Sequence, residues 1–108
     1  GGTAGCSNAI KALWGGGYSG TSTIDVVTIA AGGNSIKFGD LTAGRGTAAG
    51  MASATRGVFA AGNGSPSPTG FNIIDYVEFA TEGDAVDFGD LLSFRQRGCA
   101  LSNGHGGL

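Results

Sequence analysis

Ile74-Asp75-Tyr76-Val77-Glu78-Phe79-Ala80 is followed, after a short polar gap, by Val86-Asp87-Phe88-Gly89-Asp90-Leu91. The same phrase stands earlier in the chain as IDVVTIA, from Ile24 to Ala30, and IKFGDL, from Ile36 to Leu41. Position 24 matches 74 and position 38 matches 88, so this part of the repeat has a period of 50, which Arg45 and Arg95 also obey. Upstream, Lys11-Ala12-Leu13-Trp14 matches Arg56-Gly57-Val58-Phe59 at an offset of 45. The extra residues of the second copy fall in the loop NGSPSPTGFN, Asn63 to Asn72, which is where insertions between repeats belong. The chain thus reads as one unit over residues 1–44, a second over 45–94, and a partial third with the C-terminus over 95–108.

Each unit breaks into short segments punctuated by Gly, Asn, Ser, Pro and Thr: TAAGMASA, RGVFAAG, IIDYVEFA and AVDFGDL in the second copy. These read as strands, and no segment sustains a helical period. Alternation along IDYVEFA puts Ile74, Tyr76 and Glu78 on one face and Asp75, Val77 and Phe79 on the other. Both faces are largely apolar, which suits a sheet held between neighbouring sheets. The glycine-rich strands tolerate crowding, as the innermost strands of a radial array must. Four short strands recurring every 45 to 50 residues match the spacing of a β-propeller blade.

Composition agrees with a folded all-β chain. Of 108 residues 23 are glycine, about three times the average usage of roughly 7%, yet without the every-third-place spacing of collagen. Charged residues make up 13% and hydrophobic residues 41%, which argues against disorder. A net charge of -2 leaves no basic stripe for a phosphate backbone, so nucleic acid is not an expected partner. No apolar run approaches the roughly 20 residues of a membrane span, so no membrane insertion is expected. The N-terminal GGTAGCSNA lacks the order of a signal peptide and reads as cut from something longer, whereas SNGHGGL reads as a natural C-terminus.

The order of these segments carries a resemblance. Arginine, small-residue strand, hydrophobic strand ending in double glycine, then a strand with Tyr and Val and a closing strand, is similar to a kelch blade. Leu13-Trp14-Gly15-Gly16 and Phe59-Ala60-Ala61-Gly62 occupy the double-glycine position, and Arg45 and Arg95 stand where kelch repeats often carry arginine. The phrase TRGVFAAG with IDYVEFA, GDAVDFGDL and the following Arg resembles the kelch-like tandem repeats of structural proteins in large tailed bacteriophages, particularly marine and cyanobacterial ones. Phe38 and Phe88 depart from kelch, which typically has Trp there, and Ala61-Gly62 departs from the double glycine. The resemblance implies an all-β fold of kelch-like β-propeller blades: two four-stranded blades plus a partial third.

Gly15-Gly16-Gly17-Tyr18-Ser19-Gly20 satisfies G-x-G-x-x-G, but dinucleotide binding needs a helix next and the β-branched TSTIDVVTIA follows, so a blade turn is the reading and no cofactor is expected. Gly32 to Asp40 suggests a calcium nonapeptide, yet Ser35 and Lys37 occupy its required Gly and Asp places. Cys6, Cys99 and His105 give no metal-ligand spacing, so no metal is expected, and both cysteines are expected to be unpaired. Asp25 recurs as Asp75 and Asp40 as Asp90, and repetition points to structure rather than catalysis; Asp40 with Arg45, and Asp90 with Arg95, are expected to fix turns. Tyr18 and Phe71 stand on presumed loops. Packing between blades is the favoured reading; the other is stacking on a sugar ring, with Ser19, Asn63 and Asn72 completing a ligand-binding set.

The expected function is that of a non-enzymatic structural or adhesin domain of a phage virion, in a tail or fibre, with recognition of a host-surface glycan as a second task. The alternative is a secreted or cell-surface carbohydrate-binding propeller lectin module. Other copies of the chain, or neighbouring repeats of a longer parent, are the expected partners, and the virion surface or the extracellular space the expected location. Phe38 and Phe88, one per unit beside a glycine, are both expected to be buried between blades.

Overall fold

The computed structural model describes residues 2–17, 20–46, 48–64, 71–95 and 97–102. Among these residues eight strands follow one another: β1 (Ala4–Ser7), β2 (Lys11–Gly15), β3 (Thr23–Thr28), β4 (Ile36–Asp40), β5 (Ala49–Ala52), β6 (Arg56–Ala60), β7 (Phe71–Glu78) and β8 (Val86–Arg95). They form two four-stranded antiparallel sheets, ordered β1-β2-β3-β4 and β5-β6-β7-β8, and no helix occurs among the described residues. Residues 97–102, inside the segment read as a partial third unit, belong to no strand.

The repeat extends to single hydrogen bonds. Gly16 N donates to Thr23 O as Ala61 N donates to Ile73 O, and Gly17 N donates to Arg45 O as Gly62 N donates to Arg95 O. Between β1 and β2 the Asn8 side-chain oxygen accepts from the Ile10 and Lys11 amides; between β5 and β6 the Ser53 hydroxyl accepts from the Thr55 and Arg56 amides. Asn and Ser both close a tight turn on the backbone two or three residues on, which is why either serves there.

One face of the first sheet covers one face of the second. Leu13 pairs across the strands with Val26, and Gly15 with Ile24, and these side chains share the buried face with Ala4. Opposite them stand Phe59, Val77 and Phe79 of the second sheet. Side-chain size grades across this contact. At β1 and β5 the sheets meet backbone to backbone, where a Cβ on Gly50 would overlap the Gly5 carbonyl; toward β4 the space is filled by Phe38 and Phe79. Small residues at one side and large ones at the other splay the sheets into a wedge, because close-packed interiors leave no other way to fill the gap.

β4 lies beneath the turn between β7 and β8. Gly83 N donates to Phe38 O, Ala85 N to Asp40 O, and Asp40 N to the Asp84 carboxylate. Gly39 has to be glycine for this approach, since a Cβ would overlap the Gly83 carbonyl. Phe38, at 3% exposure, is buried as expected, but Phe88 is 57% exposed. The reason is physical: the second sheet covers Phe38, and no described residues cover Phe88. A second correction concerns Phe71 and Asn72, which open strand β7 rather than sit in a loop.

Gly16 has φ 73° and its equivalent Ala61 has φ 62°. The left-handed region costs a residue with a Cβ roughly 1–2 kcal/mol, while glycine's extra freedom in the unfolded chain costs roughly 0.4–1 kcal/mol. Ala61→Gly relieves that strain but also removes a buried methyl worth about 0.8 kcal/mol, so it is expected to change stability by less than about 1 kcal/mol, read as a small shift of the urea midpoint without a change in slope.

Candidate functional site

The end of the molecule where β2 meets β3 and β6 meets β7 holds Asn63, Phe71 and Asn72 of the residues singled out for ligand binding. Tyr18 and Ser19 lie outside the described residues. Their neighbours Gly17 and Gly20 flank the connection from β4 to β5: Gly17 N donates to Arg45 O, and Gly44 lies against the Gly20 carbonyl. On the same connection Asn63 forms an isolated antiparallel bridge with Gly46, with N–H to O=C bonds of 2.8 and 2.7 Å. Phe71 is tied to this turn by its amide, which donates to Gly62 O at 2.8 Å. The fold thus brings Asn63 and Phe71 to one end. Both are half-buried, as is Asn72, the next residue of β7.

Beneath this end lies a buried charge pair. Arg45, on the connection between the sheets, and Asp75, in the middle of β7, are both fully buried and joined at 2.9 Å. The Arg45 guanidinium also donates to Phe59 O at 3.2 Å and to Ala43 O at 3.3 Å. The Asp75 carboxylate accepts from the Thr42 amide at 3.0 Å and the Thr42 hydroxyl at 2.6 Å. Charge-assisted bonds in a dry site are short and directional, so this cluster locks the connection from the first sheet onto the second.

The expected pairing of Arg45 with Asp40 is corrected by this geometry. Asp40 instead pairs with Lys37 at 3.0 Å on the surface, and the hydrogen bond from Lys37 holds its carboxyl below the usual range. Among the described residues no ion pair joins Asp90 to Arg95. The signal for the true partner was present in the recurrence of Asp25 and Asp75, one carboxylate in the third strand of each sheet.

At the opposite end a cavity of about 300 Å³ opens between the sheets, lined in part by Asn8, Ile10, Lys11, Thr55 and Glu78. Lys11 Nζ donates across it to Phe79 O at 2.8 Å, and Asn8 donates to Ala54 O at 2.9 Å. Its aromatic residue, Phe79, is buried and offers no open ring face. Cys6 and Cys99 are free thiols; burial against the second sheet pushes the Cys6 thiol up to about 11, where it behaves as a small hydrophobe. Among the described residues no three His, Cys, Asp or Glu side chains converge as metal ligands, and no helix is long and apolar enough to cross a membrane.

Fold and site together define an all-β protein of two repeated four-stranded sheets tied by a buried arginine and aspartate. No family model and no curated protein matches the chain. Among solved structures it is similar to one titled "Structure of YjhT", with a TM-score of 0.73 and 16% identity over 93% of this chain. The chain spans 35% of that protein's length. At that identity the likeness concerns the fold alone.

Proposed function

We propose that the chain is a non-enzymatic structural module: two kelch-like β-propeller blades of a phage virion protein, of the tail or fibre, with a host-surface glycan as a second ligand. The observation that carries this reading is the use made of the repeat. The first unit stacks on the second face to face, and the charged residues buried in that stack, Arg45 and Asp75, tie the sheets together. Residues placed in this way serve architecture. The equivalent face of the second unit carries the same kind of apolar side chains and leaves Phe88 exposed, as a member of a longer radial array would.

Glycan recognition belongs to the loop end, where Asn63, held by its bridge to Gly46, and Phe71, the first residue of β7, lie at the same end of the second sheet. The test is localisation. An antiserum raised against residues 1–108 is expected to label the tail or fibre of virions purified from the source material. Labelling of a secreted or cell-surface fraction, with none on virions, would overturn this in favour of the lectin module.

A further inference from the structure

We infer that the open face of the second sheet is the docking site for the first sheet of a second copy of this chain, joined by a buried Arg95–Asp25 pair that reproduces Arg45–Asp75. This rests on the reading of the units as a stacking array, and it names the occupant and the contacts.

The relation that carries the first sheet onto the second carries each half of the internal contact onto an open surface. On the side of the second sheet that faces inward, Phe59, Asp75 and Phe79 are buried; their equivalents on the outer side of the first sheet, Trp14, Asp25 and Ile29, are at least partly exposed. On the side of the first sheet that faces inward, Leu13, Val26 and Phe38 are buried. Their equivalents Val58, Tyr76 and Phe88 line the open face of the second sheet, with Phe88 packed edge-on to Tyr76 at 5.8 Å. The two open surfaces therefore repeat the pattern of two surfaces that already fit each other, except that Ala60 and Trp14 stand where Gly15 and Phe59 meet inside the chain, so this part of the contact has to be wider.

Polar groups obey the same mapping. Arg95 is exposed and its backbone is held as that of Arg45 is, its carbonyl accepting from Gly62 as the Arg45 carbonyl accepts from Gly17. The Asp25 carboxylate, the equivalent of that of Asp75, accepts no hydrogen bond among the described residues. Among the described residues neither is in a close ion pair: Arg95 stands as a cation on one open face, and Asp25 as an anion on the other with Lys37 as its cross-strand neighbour. Leu92 replaces Thr42, which keeps a backbone donor for the carboxylate and drops the hydroxyl.

The strand edge gives an independent match. Inside the chain, β4 receives Gly83, Asp84 and Ala85. Their equivalents Gly33, Asn34 and Ser35 form an exposed turn, and the equivalent edge is the outer edge of β8. In the docked pair, Gly33 N of the second copy donates to Phe88 O and Ser35 N to Asp90 O. The Asn34 side-chain oxygen, which can accept as the Asp84 carboxylate does, takes the Asp90 amide. This also covers an otherwise open β8 edge, which sheet proteins rarely leave bare. Because the two faces differ, the contact is head-to-tail: it closes into a ring with an even number of sheets or continues as a filament.

Charge reversal tests this. The chain of residues 1–108 is followed by sedimentation velocity across a concentration series, and wild type is expected to assemble. Arg95→Asp alone and Asp25→Arg alone each place like charges together at the contact and are expected to weaken assembly by about 100-fold or more. Both residues are unburied in the single chain, so melting temperatures measured in dilute solution, below the assembly range, should stay close to wild type. Mixing the two variants restores opposite charges at every contact and is expected to restore assembly as alternating chains. Phe88→Lys is the second probe and is expected to abolish assembly while leaving the fold intact. Wild type that stays monomeric throughout, single reversals that assemble like wild type, or a mixture that fails to reassemble would each overturn the inference. None of these outcomes bears on whether virions carry the chain, which the antiserum decides separately.

Discussion

Asp75→Leu is expected to cost about 3–5 kcal/mol, because it leaves the Arg45 guanidinium buried with only two backbone carbonyls for partners. Small domains have roughly 5–15 kcal/mol in total, so this one change is expected to unfold a large share of the chain at moderate temperature. Arg45→Met is expected to cost less, about 3 kcal/mol, since Asp75 keeps both donors from Thr42. The double substitution Arg45→Met with Asp75→Leu removes both charges together and is expected to recover most of the loss, giving a large coupling in a double-mutant cycle. The control is Asp40→Asn, which breaks the exposed pair with Lys37 and is expected to leave the urea midpoint close to that of wild type. Urea unfolding followed by tryptophan fluorescence measures all four. Equal, mild losses for Asp75→Leu and Asp40→Asn would show that the buried pair does not hold the sheets together.

The strand pattern was legible because the repeat states it twice. Ile24 to Ala30 and Ile74 to Ala80 alternate in the same phase, and where two copies agree, the faces of β3 and β7 follow. Pairing across sheets was not legible in the same way. Arg45 lies five places from Asp40 and thirty from Asp75, and proximity along the chain favours the wrong partner. Only the stacking of the sheets brings Asp75 beneath Arg45, and the repeat period says that Asp75 has a twin without saying what it meets. Phe71 was misplaced for a different reason. Pro66, Pro68 and Gly70 mark a loop, but nothing in the composition marks where that loop ends, and β7 starts at Phe71 rather than at the first isoleucine. The burial of Phe88 was misjudged because burial belongs to a contact between units and not to the residue.

That difference between equal residues supplies the last expectation. Phe38 and Phe88 hold the same place in β4 and β8, and sequence alone assigns them the same cost of truncation. In the single chain their surroundings differ: Phe38 is enclosed beneath the turn from Gly83 to Ala85, whereas Phe88 touches Tyr76 edge-on and faces outward. Phe38→Ala is expected to cost about 3–5 kcal/mol, the loss of a buried ring and the cavity it leaves. Phe88→Ala, measured in dilute solution, is expected to cost only about 1 kcal/mol, the worth of one aromatic edge contact. Raising the concentration should reverse the appearance of Phe88. Once a second copy covers it, the melting temperature of wild type should climb with concentration, because association stabilises the folded state by mass action, and that of Phe88→Ala should not. Phe38→Ala should keep the climb from a lower starting point, since its defect lies inside the chain. If Phe88→Ala climbed in step with wild type, the open face would have no part in assembly, and the two phenylalanines would be related by sequence and not by role.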